Sequence, residues 1–105
     1  MNNAPGRGEP SGMQALRAQF VQRCILDRRM FEAWLRSRDN GGALADPESV
    51  RRLAHRLAGA AAVFDYGELS RAAQALEDAL NGVADGRDAS AHCGSVMALI
   101  DGLGA

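Results

Sequence analysis

Residues 54–77 read AHRLAGAAAVFDYGELSRAAQALE, and the fold follows from what this run does on either side of Asp65. Ahead of it, the 100° per residue advance of an α-helix stacks Val50, Leu53, Leu57, Ala60, Ala61 and Phe64 into one apolar stripe. Beyond it, Leu69, Ala72, Ala73, Leu76, Leu80 and Val83 form a second stripe, with Ser70, Arg71, Glu77 and Asp78 largely outside. The chain turns at Asp65, and Asp65-Tyr66-Gly67-Glu68 has the spacing of a capping box with Asp in the Ser/Thr place. Two amphipathic helices joined this tightly are antiparallel neighbours that share a core.

Upstream, Asp46-Pro47-Glu48 announces the first of these helices with a capping Asp, a Pro at the first helical position and an acid in the first turn. Asp39, Asn40, Gly41 and Gly42 break the chain before it. A long helical pattern precedes the break, from Ser11 or Met13 to about Arg38. Leu16, Phe20, Cys24, Phe31 and Leu35 lie near one face of it, flanked by Val21, Ile25 and Trp34. Arg28 and Arg29 interrupt that stripe, so a break near Asp27 into a short first helix and a second is the alternative to one rod. Trp34 or Phe20 is a candidate contact between subunits. Residues 1–10 mix Pro, Gly and Asn and read as a flexible tail. Downstream, Asn81-Gly82 and Asp85-Gly86 end the second helix, and Asp88 or Ser90 caps a last one whose stripe is Cys93, Val96, Ile100 and Leu103. The expectation is an all-α protein: an antiparallel up-and-down four-helix bundle over residues 11–105, with a short extra N-terminal helix if the first rod is broken.

Composition agrees with a helical domain: the chain of 105 residues is 47% apolar and only 5% aromatic, which leaves few strand formers. A formal net charge of −1, with acids scattered among the basic residues, speaks against a nucleic-acid binder. The longest apolar run, residues 57–64, is far short of the roughly 20 residues a membrane span needs, and the amino terminus lacks the apolar segment of a secretory signal. Cys24 and Cys93 fall within apolar helical patterns and read as buried free thiols, consistent with a reducing cytoplasm. No nucleophile elbow, P-loop, dinucleotide fingerprint or zinc-protease motif occurs, and His55 and His92 have no recognised metal-ligand spacing.

His55 is the residue that carries chemistry. It lies about half a turn from the centre of its helix's stripe, so its imidazole faces water. Ala58, Gly59 and Ala62 follow on the outer face, where charged or long polar side chains are usual and where a helical Gly costs roughly 1 kcal/mol relative to Ala. A bare surface around one imidazole is what a partner protein needs to bring a reactive group up to the ring. Arg51 and Arg52 lie one turn before His55, where guanidinium groups stabilise a phosphorylated product. A neutral imidazole is a competent nucleophile toward phosphorus near pH 7.

The run His55-Arg56-Leu57-Ala58-Gly59-Ala60-Ala61, followed by Phe64, Leu69, Ala73, Leu76 and Glu77, resembles the signature of histidine-containing phosphotransfer domains, H-x-L-K-G-[SA]-[AS], then FG and a later L-x-x-x-A-x-x-L-E. The resemblance implies a phosphoryl carrier without catalysis of its own. His55 would accept a phosphoryl group from a receiver-domain aspartate or a hybrid histidine kinase and pass it on. Gly59 would keep the approach open, and Mg²⁺ would belong to the receiver rather than to this chain. Two positions depart from the pattern: the Lys three residues after the histidine is Ala58, and the Gly after Phe64 is Asp65. Arg51, Arg52 or Arg56 would then supply the missing cation. The competing expectation is a bundle that docks a receiver or kinase without phosphotransfer.

Overall fold

The computed structural model describes residues 8–39, 46–82 and 86–103, which form four helices: α1 (Gly8–Asp39), α2 (Pro47–Val63), α3 (Gly67–Leu80) and α4 (Gly86–Leu103). Each packs on two neighbours, closing a ring α1–α2–α3–α4–α1 around a common core. This is the expected up-and-down bundle. Residues 1–7 of the expected tail, the breaker at Asn40, Gly41 and Gly42, and Val83 and Asp85 lie outside the described residues.

α1 is one rod of 32 residues, not two helices, and it starts at Gly8, inside the stretch read as a tail. Of the two arginines that suggested a break, Arg28 instead joins a series of i,i+4 pairs along the rod: Arg23 Nε to Asp27 Oδ1 at 3.1 Å, Arg28 Nη1 to Glu32 Oε1 at 3.4 Å, and Arg36 Nη2 to Glu32 Oε2 at 3.0 Å. Arg28 also donates from Nη2 to Asp101 Oδ2 of α4 at 3.2 Å. α1 outruns its partners, so residues 12–19 are all exposed and Leu16, expected on the core face, is left in solvent. The core begins at Phe20 and continues through Cys24, Phe31 and Trp34. Neither Phe20 nor Trp34 is therefore available as a subunit contact. Trp34 is fully enclosed, and Phe20 stacks on Phe64 and Tyr66 with ring centroids 5.2 and 5.5 Å apart.

α2 starts as predicted: Asp46 caps it by accepting the Ser49 N–H at 3.2 Å, with Pro47 in the first turn. Such a cap contributes about 1 kcal/mol. Its buried side is Val50, Leu53, Ala54, Leu57, Ala58 and Ala61, against Leu69, Ala73, Leu76 and Ala79 of α3 and Ala89, Cys93, Val96 and Ile100 of α4 in a common core.

The α2–α3 turn differs from its expected chemistry. Asp65 does not cap α3; Tyr66 occupies that position without a side-chain hydrogen bond. Asp65 terminates α2 instead, at a φ of 69°. Its N–H donates to the Ala62 carbonyl at 3.2 Å and the Tyr66 N–H to the Ala61 carbonyl at 2.8 Å, the paired bonds of a Schellman motif. The glycine-like conformation falls to Asp, one of the few residues that tolerates it. α3 closes as predicted at Asn81-Gly82, where Gly82 has a φ of 82°. α4 begins at Gly86, ahead of the caps expected at Asp88 or Ser90.

Candidate functional site

With Leu53, Leu57 and Ala61 of α2 committed to the core, His55 projects outward and its side chain is 71% exposed. Gly59 and Ala62 are exposed on the same helix, as expected. Ala58 is not. It is buried, and its carbonyl accepts the Ser70 hydroxyl of α3 at 2.8 Å. The expectation that Ala58 lies on the outer face is thus corrected: α3 packs over that edge of α2, and a small side chain suits the close approach. What faces a partner around the ring is Gly59 and Ala62.

The largest departure from the sequence reading is Glu77. It was placed largely outside α3's stripe, yet its side chain is only 11% exposed, and its Oε2 sits 2.9 Å from His55 Nδ1. A buried carboxylate needs partners to offset its lost hydration, and Glu77 has two: the His55 ring and Arg51, whose Nη1 lies 3.5 Å from the same Oε2. An ionised carboxylate only accepts hydrogen bonds, so Nδ1 of the ring carries the proton and donates it. In the neutral ring the lone pair then belongs to Nε2, the nitrogen turned away from Glu77.

The arginines separate by role. Arg51 donates to Glu48 through Nε, at 2.8 Å to Oε1, and through Nη2 to Oε2, while Arg52 Nε reaches Glu48 Oε2 at 3.2 Å. These bonds hold the Glu48 carboxyl down at about 2, below the usual carboxylate range, and raise the Arg51 guanidinium. Arg56 has no carboxylate partner among the described residues. It borders an open groove of about 560 Å³ between α1 and α2, beside His55. Leu26 and Met30 supply the apolar rim of that groove from α1, and both are exposed.

The remaining reactive side chains are elsewhere in the bundle. Cys24 and Cys93 are buried free thiols. Burial, reinforced by the nearby Asp27 charge, pushes Cys24 up to about 12; burial likewise pushes Cys93 up to about 11, against a smaller opposing effect of Arg38. Neither is a thiolate nucleophile at neutral pH. His92, half-buried on α4, is not brought to His55, and no cluster of metal-ligating side chains occurs among the described residues.

Sequence reasoning gave no site role to Glu77, quoted only as the end of the family signature, or to Glu48, read only as a first-turn acid. Glu48 carried a usable signal, since it precedes Arg51 and Arg52 by three and four residues at a helix start. Glu77 carried a weaker one: in antiparallel helices joined by a tight turn, residues at similar distances from the turn face each other, and His55 and Glu77 straddle Asp65 in this way.

No helix among the described residues is long and apolar enough to cross a membrane. Comparison with curated proteins finds no match, and neither does comparison with solved structures. The family model described as Hpt domain matches residues 15–105, which span all of the bundle except the first turns of α1. Members of that family are phosphoryl-carrier modules of two-component signalling that work with receiver domains and histidine kinases, not enzymes in their own right. An exposed imidazole on the second helix of a four-helix bundle, with its Nδ1 held by a buried carboxylate, stands within a matching stretch that covers nearly the whole chain: the protein belongs to the Hpt domain family.

Proposed function

We propose that this protein carries phosphoryl groups on His55, accepting them from the aspartyl phosphate of a receiver domain or from a hybrid histidine kinase and passing them to a receiver aspartate in the cytoplasm. The observation that carries this reading is the hydrogen bond of 2.9 Å between His55 Nδ1 and Glu77 Oε2 on a ring that is otherwise open to solvent. In the transfer from a receiver, the Nε2 lone pair attacks phosphorus in line. The P–N bond forms as the P–O bond to the aspartate breaks, and the carboxylate leaves with the bonding electrons. No proton has to move, because Nδ1 already holds its own. The phosphorylated ring is cationic, and Glu77 faces that charge. Transfer onward reverses each change. Mg²⁺ and the groups that position the aspartyl phosphate are the receiver's contribution, and Gly59 and Ala62 leave room for them. Arg56, beside the ring and without a carboxylate partner among the described residues, is the arginine best placed to meet the phosphoryl oxygens, with Arg52 on the same side of α2.

A second reading, docking without transfer, draws on Ala58. An alanine buried against α3 supplies no cation where the family pattern has Lys. Incubation with a phosphorylated receiver domain separates the two. Acid-labile label is expected on the wild type and none on His55→Gln, with the two proteins unfolding within about 0.5 kcal/mol of each other, as for other exposed substitutions. Binding of the receiver without label on the wild type establishes the docking module instead.

A further inference from the structure

Arg51 stands between two carboxylates of unlike surroundings. Glu48, on the outer side, is open to solvent and grips the guanidinium through two nitrogens. Glu77, on the inner side, is enclosed, and the third nitrogen of the same guanidinium approaches the very oxygen that receives the His55 ring. An exposed ion pair by itself contributes little to stability, so the Glu48–Arg51 pair is poorly explained as a fold element. Its geometry makes sense as a holder. A nearly buried carboxylate with an imidazole as its only partner favours protonation of that imidazole, since an opposite charge at hydrogen-bond distance stabilises the charged form. An imidazolium has no lone pair on either nitrogen and cannot attack phosphorus.

We propose that Arg51, clamped by Glu48, is a positioning residue for the phosphoryl-accepting ring: it compensates the charge of Glu77, so that Glu77 accepts the Nδ1–H of a neutral His55 and Nε2 keeps its lone pair. This rests on the reading of His55 as phosphoryl acceptor, and it reassigns Arg51 from contact with the phosphoryl group to control of the ring. The other charges facing the ring are Arg52 and Arg56 on α2 and, across the groove, Arg23 and Asp27 on α1. Among the described residues, Arg51 is the one arginine that pairs with Glu77.

The test measures two things on the full chain. The ¹⁵N shifts of the His55 ring as a function of pH report how much of it is neutral and which nitrogen is protonated. The rate of labelling by phosphoramidate, a small donor that needs no docking, reports nucleophilicity. Arg51→Met is expected to move the pH profile of both upward by about half a unit to one unit, the scale for one charge lost a few ångströms from a solvated ring. Labelling at pH 7 then falls by up to about threefold and recovers by about pH 9, which a damaged fold would not do. Glu48→Gln moves the profile the same way but less, Arg51→Lys restores most of it, and Arg36→Met, on α1 and outside the groove beside the ring, leaves it in place. Adding Glu77→Gln to Arg51→Met moves the profile back down, because the uncompensated charge is gone. Unchanged ring shifts and an unchanged profile in Arg51→Met overturn the proposal, as does a loss of labelling that high pH does not recover. If the wild type takes no label but the ring shifts follow this pattern, the positioning role stands and the phosphocarrier reading falls.

Discussion

The two flanks of α2 are built in opposite ways. Toward α3 the packing is the most extensive in the bundle and the small residues Ala58, Ala61 and Ala73 are buried. Polar groups there are paired across the seam: Ser70 with the Ala58 carbonyl, Glu77 with His55. Toward α1 the packing is the sparsest of the four contacts, and the helices part around a groove with exposed Leu26 and Met30 on its rim. His55 belongs to both. Its Nδ1 is anchored on the closed flank, while the ring itself borders the open one. A carrier needs this division, because the acceptor atom has to be fixed before the partner arrives and approachable when it does.

Three variants test that contrast. The largest effect on the fold is expected from Ala58→Leu, which forces extra volume into the closed flank and should cost about 1–3 kcal/mol in chemical denaturation. Full stability combined with weakened receiver binding would return Ala58 to the docking surface and break the contrast. Next, Leu26→Ala combined with Met30→Ala on the open flank is expected to slow transfer from a phosphorylated receiver about tenfold, roughly 1.4 kcal/mol, while labelling by phosphoramidate stays unchanged. Equal loss with both donors would mean that the groove shapes the ring rather than receives the partner. The smallest effect belongs to Gly59→Ala. Apart from its chain neighbours and its own helix's backbone, nothing lies within 4 Å of the added methyl carbon, so the fold should gain up to about 1 kcal/mol from helix propensity. Transfer from a receiver should fall a few-fold if the bare patch serves close approach, and stay constant if it does not.

Much of this was legible in the sequence for a physical reason. The stripes of α2 and α3 follow from a single period, and Leu53, Leu57, Leu69, Ala73 and Leu76 are buried where that period puts them. So is the outward direction of His55. Periodicity says which side of a helix is apolar, but not how far a neighbour wraps around it, and Ala58 was misplaced for that reason. Nor does it identify a charged residue beside the stripe whose partner lies on another helix. Glu77 follows Leu76 directly and reads as surface until α2 is set against α3. In α1 the error ran the other way: Arg28 and Arg29 were counted as interruptions of a stripe, yet the helix runs through them and Arg28 pairs with Glu32 along its edge.

Asp65 gives the turn a consequence of another kind. Only Phe64, Asp65 and Tyr66 separate α2 from α3, so the connector acts as a ruler that sets the rotational phase of one helix relative to the other. With that turn held, one residue added in α3 ahead of Glu77 would roll the rest of the helix by about 100°, carrying Glu77 off the ring without altering a single side chain of the site. The 22-residue spacing between His55 and Glu77 is thus a dimension of the chemistry, written in chain length rather than in residue type.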